Sequence, residues 1–422
     1  MIVLPYGDRT LELELNGLNY SIYQPKLIKP FADQSIIVQK ALETRFEANI
    51  DNVDFVNKSV AIGINDQSRP LPNQILLPVL LHFLEKLGVK REDITFFVAT
   101  GTHLPLKHNE FSLILNDEIL KSYKVVSHDC DNLENLINLG TTSAGTPVKV
   151  NRLFMNSDVK ILVGNIESHH FMGFSGGVKT AAIGLTGRDT ITANHSMLMH
   201  PNAVMGLYSS NPMRMDVEEI GKLIGIDFVL NVVINDNKEN IAAFAGDPLE
   251  VMSKGIDFIR QNVQMDLQNA SGTFDLVIAS PGGYPKDINF YQAQKAITHA
   301  CLFSKPNGVI ILAAECRDGM GSKKFEQFLS SKNSFPEVLE AFKSMPFEIG
   351  PHKAFQLAKQ AIAHKIILVS GIPEEQVQKI MLSPCKSLEQ AFEFAKAYLP
   401  PDPKIAVLPY ATHTMPKIAE AV

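Results

Sequence analysis

The sequence predicts an α/β protein of two domains, each with a largely parallel sheet flanked by helices. Short β-branched runs alternate with longer stretches of helical period, which is the pattern of parallel sheets and not of sandwiches. Chemically active side chains recur just past the ends of those runs, where the loops of parallel sheets gather ligands. The length of 422 residues exceeds one domain at roughly 100–200 residues each.

The start, MIVLPYGDRTLELEL, alternates apolar and acidic residues without a basic opening, so it reads as a strand and not a secretion signal. A first strand set follows at Val60–Ile64, Thr95–Ala99, Lys124–Ser127, Val159–Gly164 and Val229–Asn235. Helices are expected over Gln74–Leu87, with Asn73 as cap and Gly88 as stop, over Arg214–Ile224 and over Leu249–Val263. The polar shift at Asn269–Thr273 is the expected boundary, giving domains 1–270 and 271–422. The second set places strands at Asp275–Ser280, Gly308–Ala314, Ile366–Ser370 and Ile405–Pro409, with helices at Gln292–Phe303, Phe355–Ala363, Glu374–Ile380 and Leu388–Tyr398. The tail from Tyr410 to Val422 is expected to cross back to the first domain.

Composition narrows the function. A net charge of −6 offers no basic field for phosphates, which disfavours nucleic-acid binding. Four scattered cysteines form no C-x-x-C pair, so the polypeptide has no local thiolate metal site. The longest apolar stretch, Ile75–Leu84, is interrupted by Pro78 and His82 and falls short of the ~20 residues of a membrane span. The expectation is a soluble, cytoplasmic protein of a reducing compartment.

Four loops after expected strands carry the chemistry: Asp66–Pro70, Thr100–His103, Asn165–His170 and Pro281–Pro285. Seven of 12 histidines lie between positions 103 and 200, and His103 and His169 each stand just past a strand end. Histidine suits acid–base work near neutral pH and borderline metals. Gly173–Thr180 fails the phosphate-loop spacing, because Val178 separates Gly177 from Lys179. Its small residues Ser175, Gly176 and Gly177 could still present backbone N–H groups to one phosphate. Asp66 and Arg69, three apart, suit a carboxylate or a loop salt bridge equally. Gln292 and Lys295 share a helical face in Tyr291-Gln292-x-x-Lys295.

Six motifs together resemble the lactate racemase family: D-x-S-R-P (Asp66–Pro70), G-T-H (Gly101–His103), H-x-x-x-G-F-S-G-G-x-K (His169–Lys179), N-H (Asn194–His195), N-P-x-R-x-D (Asn211–Asp216) and P-G-G-x-P…Y-Q-A-x-K (Pro281–Lys295). The resemblance implies a racemase or epimerase, an isomerase that inverts C2 of a 2-hydroxy acid by reversible hydride transfer through a 2-keto acid. It implies a covalent nickel-pincer nucleotide, pyridinium-3,5-dithiocarboxylic acid mononucleotide, linked through Lys179 and made by dedicated maturation enzymes, with His195 as the nickel ligand. It further implies His103 and His169 as the acid–base pair, each titrating near working pH. Arg69, Gln292 and Lys295 would hold the substrate carboxylate and hydroxyl, with Asp66 and Tyr291 beside them, roles that imply an active site in the cleft between the two domains. Two departures stand out: Val178 where a basic residue is expected, and Met172 in His-His-Phe-Met where Ala is expected.

Two other readings use the same residues. A zinc hydrolase would place the metal on His103, His169 and His195, although no H-E-x-x-H pair supports it. A non-catalytic nucleotide- or nickel-binding protein would keep Lys179 and His195 but would not need paired bases.

Overall fold

A computed structural model describes residues 1–26, 28–47, 55–69, 71–235, 237–265, 267, 273–345, 347, 348 and 350–417, with the side chains of 45–47 excepted. Pro70, most of the expected boundary at Asn269–Thr273 and residues 418–422 of the tail lie outside the described residues.

The chain forms two compact units, a contiguous one over Ile28–Ile259 and a split one made of Met1–Leu27 with Arg260–Ala419. In the contiguous unit six strands lie in the order Asn240–Gly246, Phe228–Ile234, Val159–Asn165, Val60–Asn65, Ile94–Ala99 and Lys124–Ser127. The first pair is antiparallel and the rest are parallel. Ile62, Ile64, Phe96, Val98, Ile161 and Val163 of these strands share one core with Leu76, Leu77, Leu80 and Leu84 of the helix Asn73–Lys86. Each fully buried Leu, Ile or Val contributes about 1.5–3 kcal/mol, so the helix is held by its packed face.

Asn73 does not cap that helix as expected. It is the first helical residue, Pro72 holds the cap position, and the Asn73 amide donates instead to the Ile114 carbonyl at 3.1 Å. An Asn before an apolar run has other backbone partners available once the chain folds.

The split unit carries a six-stranded parallel sheet in the order Ser383–Cys385, Lys365–Val369, Ser304–Ala313, Phe274–Ala279, Ile405–Leu408 and Tyr20–Ile22. Along Phe274–Ala279, Leu276 and Ile278 enter one core while Val277 and Ala279 enter another. Both faces are covered, which is why the strand is apolar without alternation.

The expected boundaries change at the N-terminus. Tyr20, Ser21 and Ile22 pair with Ile405, Ala406 and Val407. The hairpin Ile2–Tyr6 with Arg9–Leu13 puts Ile2, Leu4, Tyr6 and Leu13 into a split-unit core. The opening strand is therefore real but belongs with the second half of the chain, because a local pattern specifies a strand and not the sheet it joins. The described part of the tail also stays in the split unit: Ala411 N–H donates to Ser280 O and Met265 N–H to Met415 O, both at 2.8 Å. The helix expected from Gln292 is two short helices, Phe290–Ala293 and Lys295–Cys301, joined at Gln294 in helical conformation.

Candidate active site

Three adjacent parallel strands of the contiguous unit end side by side at Asn165, Asn65 and Ala99. The residues immediately beyond them are those that carry Asp66, His103 and His169, so strand register assembles the group.

Asp66 is buried, and its Oδ2 meets His103 Nδ1 at 2.7 Å. Its Oδ1 accepts from the Ser68 hydroxyl at 2.5 Å and the Ser68 N–H at 3.1 Å. Burial pushes the Asp66 carboxyl upward, but the bonds from His103 and Ser68 outweigh it and hold the group below its usual range. The same bond to Asp66 raises His103 above the ordinary imidazole value. With Nδ1–H given to Asp66, the His103 acceptor lone pair lies on Nε2.

His169 has the opposite character. It sits on the two-residue strand Ser168–His169, paired with Gly173–Phe174, and its Nδ1 accepts the Met172 N–H at 3.2 Å. Burial drives its pKa well below the ordinary value, and Lys179, Arg69, His170 and His195 push the same way. A neutral His169 thus carries its proton on Nε2. The expectation that both histidines titrate near working pH does not hold: a carboxylate partner lifts one, while desolvation and neighbouring cations depress the other.

Phe171 links His169 to His195, with ring centroids 4.6 Å from the first and 5.9 Å from the second. His195 occupies the last turn of the helix Arg188–Ser196 and gives Nδ1–H to the Ile191 carbonyl at 2.9 Å. Its neighbour Asn194 is fully buried and donates to Met213 O at 3.0 Å and Asp216 Oδ2 at 2.8 Å. Asp216 also accepts from Thr142 and Thr146 at 2.6 and 3.0 Å. This network docks the His195 helix onto the helix Pro212–Ile224.

The loop before Lys179 is braced from behind. Arg214, fully buried, donates to the Phe174 and Gly176 carbonyls at 3.1 Å each and pairs with Glu218 at 2.5 Å. Asn231, a lone polar residue within the apolar strand Phe228–Ile234, accepts the Gly177 N–H at 2.6 Å. Gly176 and Gly177 have φ of +92° and +59°. A Cβ would lie 2.8 Å from Ile166 on Gly176, and on Gly177 2.7 Å from Met252 and 2.9 Å from Arg214. Only glycine suits both the backbone and the space.

Two of the three amides expected to cradle a phosphate are already engaged. Gly177 N–H is given to Asn231, Ser175 N–H to Glu167 O at 2.8 Å, and the helix Lys179–Ala182 has four residues. The Ser175 hydroxyl is buried and has no hydrogen-bond partner among the described residues. Lys179 is 8% exposed, and burial with Arg69 and Arg214 holds its pKa well below the usual ammonium range, against an upward pull from Glu167. Val178 packs on Gly221, where an added Cβ would lie 2.4 Å away, so the departure at 178 serves helix packing. Met172 is fully buried.

The remaining nominated residues lie in the split unit. Asn289 Oδ1 caps the helix Phe290–Ala293 by accepting the Gln292 N–H at 3.0 Å. Tyr291 is half-buried with its phenol pKa raised by burial, and its ring meets Phe325 edge-on at 5.6 Å. Lys295 opens the next helix.

Sequence reasoning left Arg214 and Asp216 as motif letters without roles and missed Asn231 altogether. A single Asn inside FVLNVVI was its signal, because a buried polar residue in an apolar strand requires a partner. Among the described residues no group of three or more His, Cys, Asp or Glu is placed to hold a metal, so His103, His169 and His195 do not form the zinc set of the hydrolase reading. Among the same residues no helix is long and apolar enough to cross a membrane.

Comparison with known proteins identifies the family. Residues 6–206 match the lactate racemase N-terminal domain and residues 270–414 the lactate racemase C-terminal domain. The chain is 32% identical over 418 residues to the lactate racemase of Thermoanaerobacterium thermosaccharolyticum and 29% identical over 418 residues to that of Lactiplantibacillus plantarum, covering 97% of each chain in both cases. The structure of the lactate racemase apoprotein from Thermoanaerobacterium thermosaccharolyticum superimposes with a TM-score of 0.87 at 30% identity, covering 98% of this chain and 99% of that one. A Thermotoga maritima protein shares the fold at a TM-score of 0.60 and 19% identity, over 90% of this chain and 97% of that one.

Fold and relatives define the class first: this is an isomerase, a racemase acting on a small molecule. The chain belongs to the lactate racemase family.

Proposed function

We propose that the chain inverts C2 of a 2-hydroxy acid by removing hydride and returning it to the opposite face, through a 2-keto acid, using a nickel-pincer nucleotide carried on Lys179. The observation that carries this reading is the setting of Lys179. Its amine is buried, and desolvation with two arginines favours the neutral form, the nucleophilic form that covalent attachment requires.

Two further features fit the same group. The unpartnered Ser175 hydroxyl faces a buried environment in the same loop, and such groups are ordinarily satisfied. His195 gives Nδ1–H to a backbone carbonyl, which leaves the Nε2 lone pair that a metal takes. Lys179 would carry the nucleotide, Ser175 would contact it with Gly176 and Gly177 framing the loop, and His195 would complete the nickel coordination. When bound, the nucleotide supplies the hydride acceptor that amino-acid side chains lack.

The chain's own residues do the rest. His103 accepts the substrate hydroxyl proton on Nε2, and Asp66 stabilises the imidazolium that results. His169, neutral with its proton on Nε2, gives a hydrogen bond to the substrate oxygen from its side of the site. Arg69, Gln292 and Lys295 bind the carboxylate and hydroxyl, so the keto acid can turn without leaving. Tyr291 contributes wall. Maturation enzymes are the expected partners, since the chain cannot make such a cofactor itself.

The test is co-expression with cofactor-building enzymes, followed by peptide mass analysis and a chiral screen of 2-hydroxy acids. A mass gain on the peptide containing Lys179, nickel in the loaded protein and racemisation are expected together. Lys179→Ala should abolish the adduct and the activity. Undiminished racemisation in Lys179→Ala overturns the proposal.

A further inference from the structure

Lys353 lies outside the residues assigned above, in the first turn of the split-unit helix Pro351–Ala363, and is 8% exposed. Its ammonium has no carboxylate partner among the described residues. Leaving a buried charge uncompensated is costly. Burial and the nearby positive charge of Lys295 push its pKa down from 10.5 to about 7.

The two lysines are neighbours by construction. Gln356 and Gln360 both donate to the Thr298 hydroxyl, at 3.3 and 2.9 Å, which fastens the helix Pro351–Ala363 alongside Lys295–Cys301. Ala354, Leu357 and Ala358 share a core with Ile297 and Ala300. Lys353 precedes Gln356 by three residues, and Lys295 precedes Thr298 by three. The hydrogen bonds one turn further along thus hold both ammonium stems at the opening ends of their helices.

Helix stability does not explain this arrangement. Cations are disfavoured at helix N-termini, and neither helix has an acidic residue in its first turn to offset them. His352, beside Lys353, is pushed down to about 4, chiefly by burial, and brings no negative charge. An incoming anion would supply the carboxylate partner that Lys353 lacks among the described residues.

We propose that Lys353 and Lys295 form an anion subsite in which Lys353 holds a second acidic group, so that the preferred substrate is a short 2-hydroxy dicarboxylate. The inference rests on the reading above, in which Lys295 and Arg69 serve the carboxylate next to C2. A monocarboxylate would engage those two cations and leave Lys353 without a carboxylate; a second carboxylate pairs it. The subsite acts on affinity and selectivity, and no bond is made or broken there.

Two measurements separate this subsite from the racemase reading. In the first, the full-length protein without cofactor is titrated calorimetrically with succinate and with propionate. Succinate is expected to bind at least tenfold more tightly, Lys353→Met to erase the difference, and Lys353→Arg to retain it. In the second, loaded enzyme is assayed with malate and lactate. The ratio of kcat/KM for malate over lactate is expected to exceed ten and to fall at least tenfold in Lys353→Met, chiefly through KM for malate. Equal binding of succinate and propionate, binding of neither, or a ratio unchanged in Lys353→Met overturns the subsite. Racemisation of lactate in that case leaves the proposed function standing. Succinate preference in a loaded protein that racemises nothing would sink the function and retain the subsite. Circular dichroism and thermal unfolding of both variants distinguish lost folding from lost selectivity.

Discussion

The loops past the strand ends in the contiguous unit and the helix starts of the split unit handle buried charge in opposite ways. Around Lys179 the buried polar groups are cross-braced: Arg214 with Glu218 and two carbonyls, Asn231 with Gly177, Asp216 with Asn194 and two threonines, Asp66 with His103. At Lys353 a buried cation has no such partner among the described residues and faces a like charge. A braced site is built before its ligand arrives, whereas an unbraced cation is completed by one. Preorganisation thus belongs to the half with the proposed acid–base and cofactor residues, and ligand-dependent charge pairing to the half with the lysines proposed to meet substrate.

Removing a brace should therefore cost more than removing a waiting group. Arg214→Met takes the cation from Glu218, which keeps the Tyr208 hydroxyl, and one donor from each of two carbonyls, so it should destabilise the contiguous unit by about 3–5 kcal/mol, read as a lower midpoint in thermal or denaturant unfolding. A change below about 1 kcal/mol would show that the bracing is incidental.

Asp66→Asn is the next largest effect. Loss of an orienting partner typically costs about 10–100-fold in activity. The pH profile adds a sign. Asp66 raises the His103 pKa, and His103 must be deprotonated to accept a proton. The acidic limb of kcat/KM should therefore move to lower pH in the variant as its plateau falls. A limb that stays in place would assign it to a group other than His103.

Ser175→Ala should have the smallest effect on the protein alone. Its hydroxyl is buried and unsatisfied, so removal should leave the unloaded protein as stable or about 1 kcal/mol more stable. Loaded protein should retain less nickel after dialysis. Unchanged nickel retention would detach Ser175 from the cofactor.

Much of the architecture was legible in the residue pattern. Strand runs such as Val60–Asn65 and Phe274–Ala279 are short, apolar and flanked by turn chemistry, so their existence follows from local signals. The membership of residues 1–26 was not legible, because Tyr20–Ile22 gives no sign that its partner is Ile405–Leu408. Of the candidate site, His103, His169 and Lys179 were legible by position and motif. The brace from Arg214 and Asn231 was not, since both lie more than 30 residues beyond the loop they hold.

The sequence by itself determined the class of fold, the family and the inventory of reactive side chains, because periodicity and motif order are local properties of a chain. Only the tertiary structure decided what those side chains are. It raised His103 by setting it on Asp66, depressed His169 by burying it among cations, and buried Lys353 beside Lys295. Desolvation and through-space charge depend on which groups become neighbours, and pairs such as Asp66 with His103, Arg69 with His169 and Lys295 with Lys353 are far apart along the chain.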